Sequence, residues 1–236
     1  MTRGSVHFIG STEGSAGGKM LARALSSAGA RASGAPKIAV SFAPVAGSPE
    51  ALKYMGDRTL KLFAGKGTVT RFCLAGEADA DPVRAKAIVD EADLIFFSGG
   101  DPVVGAHILR ESGADAWVRE ARERGATFAG ISAGAILLGA SWASWPDEHP
   151  PNAPFDGGML IACASVVDDL VVDCHGEEDD WNELKLVAAM LRARSTEGAA
   201  EPRLRGIPTR GGLIVGPDNA LEIVGDEAFV PGFSRS

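Results

Sequence analysis

From residue 6 to residue 130, short apolar runs alternate with longer helical stretches. Strands are predicted over 6–9, 38–43, 69–74, 94–97 and 127–130. Helices are predicted over 19–28, 49–64, 82–91 and 103–124, the last broken at Gly113. The strand runs are mostly continuously apolar rather than alternating, which is the pattern of strands covered by helices on both faces. Strands and helices that alternate this way build a mostly parallel sheet with right-handed crossovers. The predicted class is therefore α/β, a three-layer α/β/α arrangement around a mostly parallel central sheet.

The second half is less regular. Residues 141–156 are rich in Trp, Pro and Asp and have no period, so they read as an irregular loop of a length that is often functional. Residues 164–172 read as one or two strands, and 181–194 as a helix with an apolar stripe at Leu184, Leu186, Val187 and Leu191. Strands at 212–215 and 221–224 flank Pro217-Asp218-Asn219, a hairpin signal. The stretch 195–202 is only a short polar connection, and no repeat or long linker divides the chain. A single domain over 1–236 is expected.

The stretch Gly130-Ile131-Ser132-Ala133-Gly134 joins one apolar run to another. A strand, a sharp turn through small residues and a helix would expose the Ser132 hydroxyl beside the helix's first amides, the layout of a nucleophile elbow. A glycine-rich turn with no chemistry has the same pattern, and G-x-S-x-G alone is a weak signal. Catalysis needs a base. His7 lies inside the first strand, His107 in a helix and His149 in the irregular loop, whereas His175 ends the apolar run Leu170-Val171-Val172. Ligands of open parallel sheets bind at the carboxyl ends of strands, so Ser132 and His175 can share one crevice.

The base in turn needs an acid to set its tautomer. Asp147 is the first candidate, Glu148 the next and Asp173 the third. Asp173, two residues before the histidine in an extended run, would flank it rather than sit behind it. The Gly99-Gly100 turn after the fourth strand is expected to add an oxyanion donor to the Ala133 amide. Asp101 followed by Pro102 is a helix cap that can also face a ligand. Gly10 to Lys19 is glycine-rich but is not a phosphate loop, because Glu13 and Met20 stand where that motif requires a glycine and a hydroxyl.

Acidic residues crowd His175: Asp168, Asp169, Asp173, Glu177, Glu178, Asp179 and Asp180. With no second His or Cys at ligand spacing, no metal is expected. The cluster reads as a solvated helix start or as a negative rim for a substrate amino group. A net charge of −8 and a pI near 5.1 argue against nucleic acid and anionic membrane surfaces as partners. No apolar stretch approaches the ~20 residues that span a bilayer. The first residues contain no signal-type apolar core, and three scattered cysteines make no disulfide framework. A cytoplasmic protein without cofactor is expected, with an exposed sheet edge or helix face able to support a homodimer.

With these residues in place, the chain resembles the dipeptidase E and cyanophycinase family of serine peptidases, whose fold is similar to class I glutamine amidotransferases and flavodoxin-like. Gly130-Ile131-Ser132-Ala133-Gly134-Ala135 matches the family's nucleophile signature, and 92–101, 37–44 and 206–224 match further strands and turns. The resemblance implies a serine exopeptidase acting on short peptides. Ser132 would be the nucleophile, His175 the base and Asp147, 15 residues after the serine, the acid. The specificity residues differ. Pro102 replaces a glutamine of the cyanophycinases, and Glu177 to Asp180 replace arginines that follow the histidine there. Two other readings share parts of this pattern: an α/β-hydrolase esterase, and a binding or sensor protein that kept the fold without turnover.

Overall fold

The structure is a computed structural model that describes residues 2–12, 14–41, 49–72, 74, 80–145, 158–195 and 200–231. Seven strands form the main sheet: β1 (Val6–Ile9), β2 (Lys37–Ser41), β3 (Thr68–Phe72), β4 (Leu94–Phe97), β5 (Thr127–Ile131), β10 (Gly211–Val215) and β11 (Leu221–Gly225). Their order is β11-β10-β1-β5-β4-β2-β3. The five strands from β1 to β3 in that order run parallel, and β10 and β11 add an antiparallel edge.

The continuous apolar runs are explained by cover on both faces. Ile9, Leu94, Phe96 and Ala129 pack with Met20, Leu21 and Ala24 of α1 (Gly14–Gly29) and Phe63 of α2 (Pro49–Phe63). The alternate residues Phe8, Ile95, Phe97 and Phe128 pack on the other face. There they meet α3 (Pro82–Glu91), α4 (Pro102–Glu111), α5 (Ala114–Arg124) and α6 (Ala133–Leu138). Asp81 and Asp101 cap α3 and α4 ahead of a proline, and Gly113 at φ 72 makes the predicted break between α4 and α5.

Three departures from the pattern-based expectation matter. Helix α1 starts at Gly14 rather than 19; Gly17 lies so close to the Ser11 carbonyl that any Cβ would collide, so packing carries the helix through its glycines. The segment expected to be irregular opens with β6 (Ser141–Ser144), paired antiparallel with β7 (Met159–Ala162); residues 146–157 lie outside the described ones. The run expected over 164–172 resolves into the single strand β8 (Leu170–Cys174). Its parallel partner β9 (Arg203–Ile207) was not foreseen, because two arginines interrupt its apolar character. Helix α7 (Asn182–Arg194) follows a left-handed Trp181. Among the described residues no helix is long and apolar enough to cross a membrane.

Candidate active site

Strand β5 ends at Ile131 and α6 begins at Ala133, so Ser132 alone makes the turn. Its backbone stands at φ 53 and ψ −123, a conformation that costs a residue with a side chain of order 1–3 kcal/mol. The surroundings impose it. The Ser132 amide donates to the Ile9 carbonyl at 3.1 Å, and the Ser132 carbonyl accepts from the amides of Ala135 and Ile136. A Cβ at Gly130 would strike the Gly134 carbonyl, and one at Gly134 would strike the carbonyls of Phe97 and Ser98. The glycines on either side of the serine are thus packing requirements that let helix and strand approach.

Ser132 lines a cavity of about 320 Å³ at the carboxyl ends of the strands. Gly10, Ser11 and Thr12 after β1 form one wall, Ser98, Gly99 and Gly100 after β4 another, and His175 after β8 a third. Helix α2 closes the cavity with Arg58, Thr59 and Leu62. The switch between strand order and chain order falls here, where open α/β sheets hold ligands.

His175 also stands in the left-handed region, at φ 68. Its amide donates to the Ile207 carbonyl at 3.2 Å, continuing the β8–β9 ladder by one residue. Its ring Nδ1 lies 3.2 Å from Thr209 Oγ1. Thr209 belongs to the turn between β9 and β10, and its amide donates to Glu177 Oε1 at 2.5 Å.

The structure therefore brings Ser132, His175, Gly99 and Gly100 onto one cavity, with Ala133 next in chain to the serine. Gly99 backs the serine, since a Cβ there would sit 3.6 Å from Ser132 Cβ, and Gly100 at φ 155 uses a conformation that favours glycine. Asp101 is engaged as the cap of α4, accepting from the amides of Val103 and Val104 at 2.8 and 3.1 Å. Asp147 and Glu148 lie outside the described residues.

Asp173 is 3% exposed, lies beside Gly176 and Trp181, and does not itself line the cavity. Burial pushes its carboxyl up to about 7, with Glu183, Asp179 and Glu177 adding repulsion against the stabilising Cys174 amide. Cys174 brings its sulfur beside the Ser132 backbone; burial first, then the charges of Asp173 and Glu177, push that thiol well above its ordinary value, the opposite of a reactive thiolate. His7 is buried in β1 with Nε2 3.1 Å from Ser5 Oγ, and burial lowers it to about 4. His107 faces Glu111 on the exposed side of α4. Among the described residues no three His, Cys, Asp or Glu side chains converge as metal ligands.

Sequence reasoning missed three contributors. Arg58 looks like any solvated cation on an amphipathic helix, and Thr209 like any turn residue. Gly10 to Thr12 gave a glycine signal, but it was weighed against phosphate binding alone. A serine, an imidazole and a glycine turn on one cavity are groups that serine hydrolysis uses.

Known proteins place this geometry. The family model of peptidase family S51 matches residues 15–198. No curated protein matches the chain by sequence. Among solved structures it is similar to a peptidase from an acI-B1 Actinobacterium, with a TM-score of 0.73 and 20% identity, over 97% of this chain and 91% of that one. It is also similar to a putative peptidase E protein from Listeria monocytogenes EGD-e, with a TM-score of 0.57 and 14% identity, over 98% of this chain and 100% of that one. These likenesses bear out the α/β fold, and the family match decides for a peptidase over an α/β-hydrolase esterase. By the match over most of its length, the chain belongs to peptidase family S51 and is a serine-type peptidase.

Proposed function

We propose that the chain is an exopeptidase for short peptides, with Ser132 as nucleophile and His175 as its base. Ser132 Oγ bonds to the scissile carbonyl carbon while the imidazole accepts the hydroxyl proton. The same imidazole then protonates the leaving amine as the C–N bond breaks, and activates the water that hydrolyses the acyl-enzyme. The amides of Gly100 and Ala133 receive the oxyanion, and Gly99 leaves room for the carbonyl beside the serine. The observation that carries this reading is the placement of Ser132 and His175, both on strained left-handed backbone, on a single cavity.

Two features favour a short peptide. A volume of about 320 Å³ is at the small end of the roughly 300–1,000 Å³ typical of ligand pockets. Arg58, the one permanent cation among the described lining residues, matches a peptide carboxylate.

A fluorophosphonate probe is expected to modify Ser132, located by peptide mass mapping, and to abolish cleavage of a panel of di- and tripeptides. Preparations that turn over peptides while Ser132 stays unmodified by excess probe would refute the assignment. Turnover of simple acetate esters with no cleavage of any peptide in the panel would overturn the substrate class.

A further inference from the structure

A second cavity, of about 460 Å³, meets the first at Gly100, which lines both. Its walls come from the start of α4, from β6 and the residue after it, and from the first turn of α7. Resting on the reading of Ser132 as a peptidase nucleophile, we propose that this cavity takes a basic side chain, lysyl or arginyl, of the substrate residue on the acyl side of the scissile bond. Glu183 is its charged partner, and Trp142 and Trp145 are its aromatic wall.

The charges around the cavity call for a cation. Asp101 and Glu183 line it, and no Lys, Arg or His does so among the described residues. The start of a helix ordinarily attracts an anion. Here Asp101 Oδ1 already accepts from the Val103 and Val104 amides at 2.8 and 3.1 Å, so a carboxylate of the chain itself occupies the start of α4. Glu183 is half-buried in the first turn of α7. Burial first, then the Asp179 charge, raises its carboxyl, and Glu183 in turn raises the buried Asp173. The one offset at Asp173 is a backbone amide, that of Cys174. An ammonium or guanidinium beside Glu183 would relieve this mutual repulsion.

The rest of the wall suits the rest of such a side chain. Trp142 and Trp145 form an edge-to-face pair with ring centroids 6.2 Å apart, and Trp142 is buried, which anchors the pair. Tryptophan rings attract cations, and the methylenes of Lys and Arg lie along apolar surface while the charged end reaches a polar partner. Val103 and Ala143 extend the apolar part. The two cavities also carry opposite charge, with Arg58 in the one that contains Ser132 and Glu183 in the one beyond Gly100. A short peptide bound across Gly100 with its carboxylate toward Arg58 directs its acyl-side residue toward Glu183.

Calorimetric binding of Lys-Ala, Nε-acetyl-Lys-Ala and norleucyl-Ala to a Ser132→Ala chain separates the side-chain charge from the α-ammonium that all three peptides share. Lys-Ala is expected to bind ~10-fold or more tightly than the other two, the share of a hydrogen bond to a charged group. Lys-Ala should also bind more tightly than Ala-Lys, which carries the same charge on the leaving side. Adding Glu183→Gln should bring the first three peptides within about twofold of one another, and Glu183→Lys should favour Glu-Ala over Lys-Ala. The same order is expected in kcat/KM when Ser132 is present.

Equal binding of the three peptides to the Ser132→Ala chain overturns the proposal. If Glu183→Gln then weakens all three alike, the cavity takes the α-ammonium instead. A lysine preference that survives both Glu183 variants unchanged also overturns it, and Ala-Lys binding as tightly as Lys-Ala overturns the acyl-side placement. The nucleophile reading fails separately. Peptide cleavage with Ser132 unmodified by a fluorophosphonate, beside an intact lysine preference in binding, sinks the role of Ser132 and leaves the cavity's assignment standing. An enzyme that is modified at Ser132 and cleaves peptides without regard to lysine sinks the cavity's assignment alone.

Discussion

The two sides of the cavity are held by different forces. The nucleophile side is five consecutive residues, Gly130 to Gly134, at the junction of β5 and α6, and backbone packing and backbone hydrogen bonds set its shape. The base side is assembled from His175, Glu177 and Thr209, which come from β8, the segment after it and the turn beyond β9, and polar contacts set its shape. Asp173, Asp179 and Glu183 crowd the same region, so charge matters there, whereas no acidic side chain occurs in 127–145. A site of this kind should fail through stability on one side and through protonation on the other.

The largest effects test whether the halves act together. Ser132→Ala and His175→Ala should each cut kcat by ~10³-fold or more, and the double variant should be little worse than either, because groups that act as a unit are not additive. Steady-state kinetics on one dipeptide measures this, and losses that multiply in the double variant would mean that the halves act independently. Next is Gly134→Ala. Its Cβ has no space between the carbonyls of Phe97 and Ser98, so stability should fall by ~3 kcal/mol in urea unfolding with no change in its pH dependence. A change within the ~0.5 kcal/mol typical of a surface site would show that packing does not hold the elbow.

The smallest expected effect belongs to the base side. The Asp173 carboxyl is raised from 3.8 to about 7 in the fold. Below pH ~4 both folded and unfolded chains hold its proton; between 4 and 7 only the folded chain does, so this group's stabilisation fades as pH rises through that window. His7, lowered from 6.5 to about 4, acts in the opposite sense: its contribution is present above 6.5 and fades as pH falls toward 4. The two slopes oppose each other in the parent. Asp173→Asn should gain ~1–3 kcal/mol relative to the parent at pH 7 and nothing below pH 4, and should expose the rising His7 slope. Urea midpoints at three pH values measure it, and parallel curves for the two proteins would remove Asp173 as a titrating group.

Much of the first half was legible because its order is local. Residues 82–91 and 94–97 carry their own stop and start signals, and both boundaries agree with the structure. The break at Gly113 is a glycine using its conformational freedom. The elbow was legible for the same reason, since Gly130 and Gly134 contact each other across only four positions. Strand β9 was not, because Arg203 and Arg205 hide its period and its pairing with β8 spans 33 residues in register. Nor was Thr209, whose partner in the ring of His175 is 34 residues away. Asp101 could be placed as a cap from its neighbour Pro102, and that is the role its hydrogen bonds show.

What the amino-acid sequence determined by itself is what depends on neighbours in the chain: the alternation of strands and helices, the caps, and a serine on a turn that only small flanking residues permit. What only the tertiary structure decided is which distant groups meet that serine. The β8–β9 pairing and the turn into β10 bring His175 and Thr209 to the cavity, and α2 brings Arg58. Local patterning reflects short-range sterics and burial, while the partner of a polar side chain is chosen by the packing of whole elements, which no window of sequence contains.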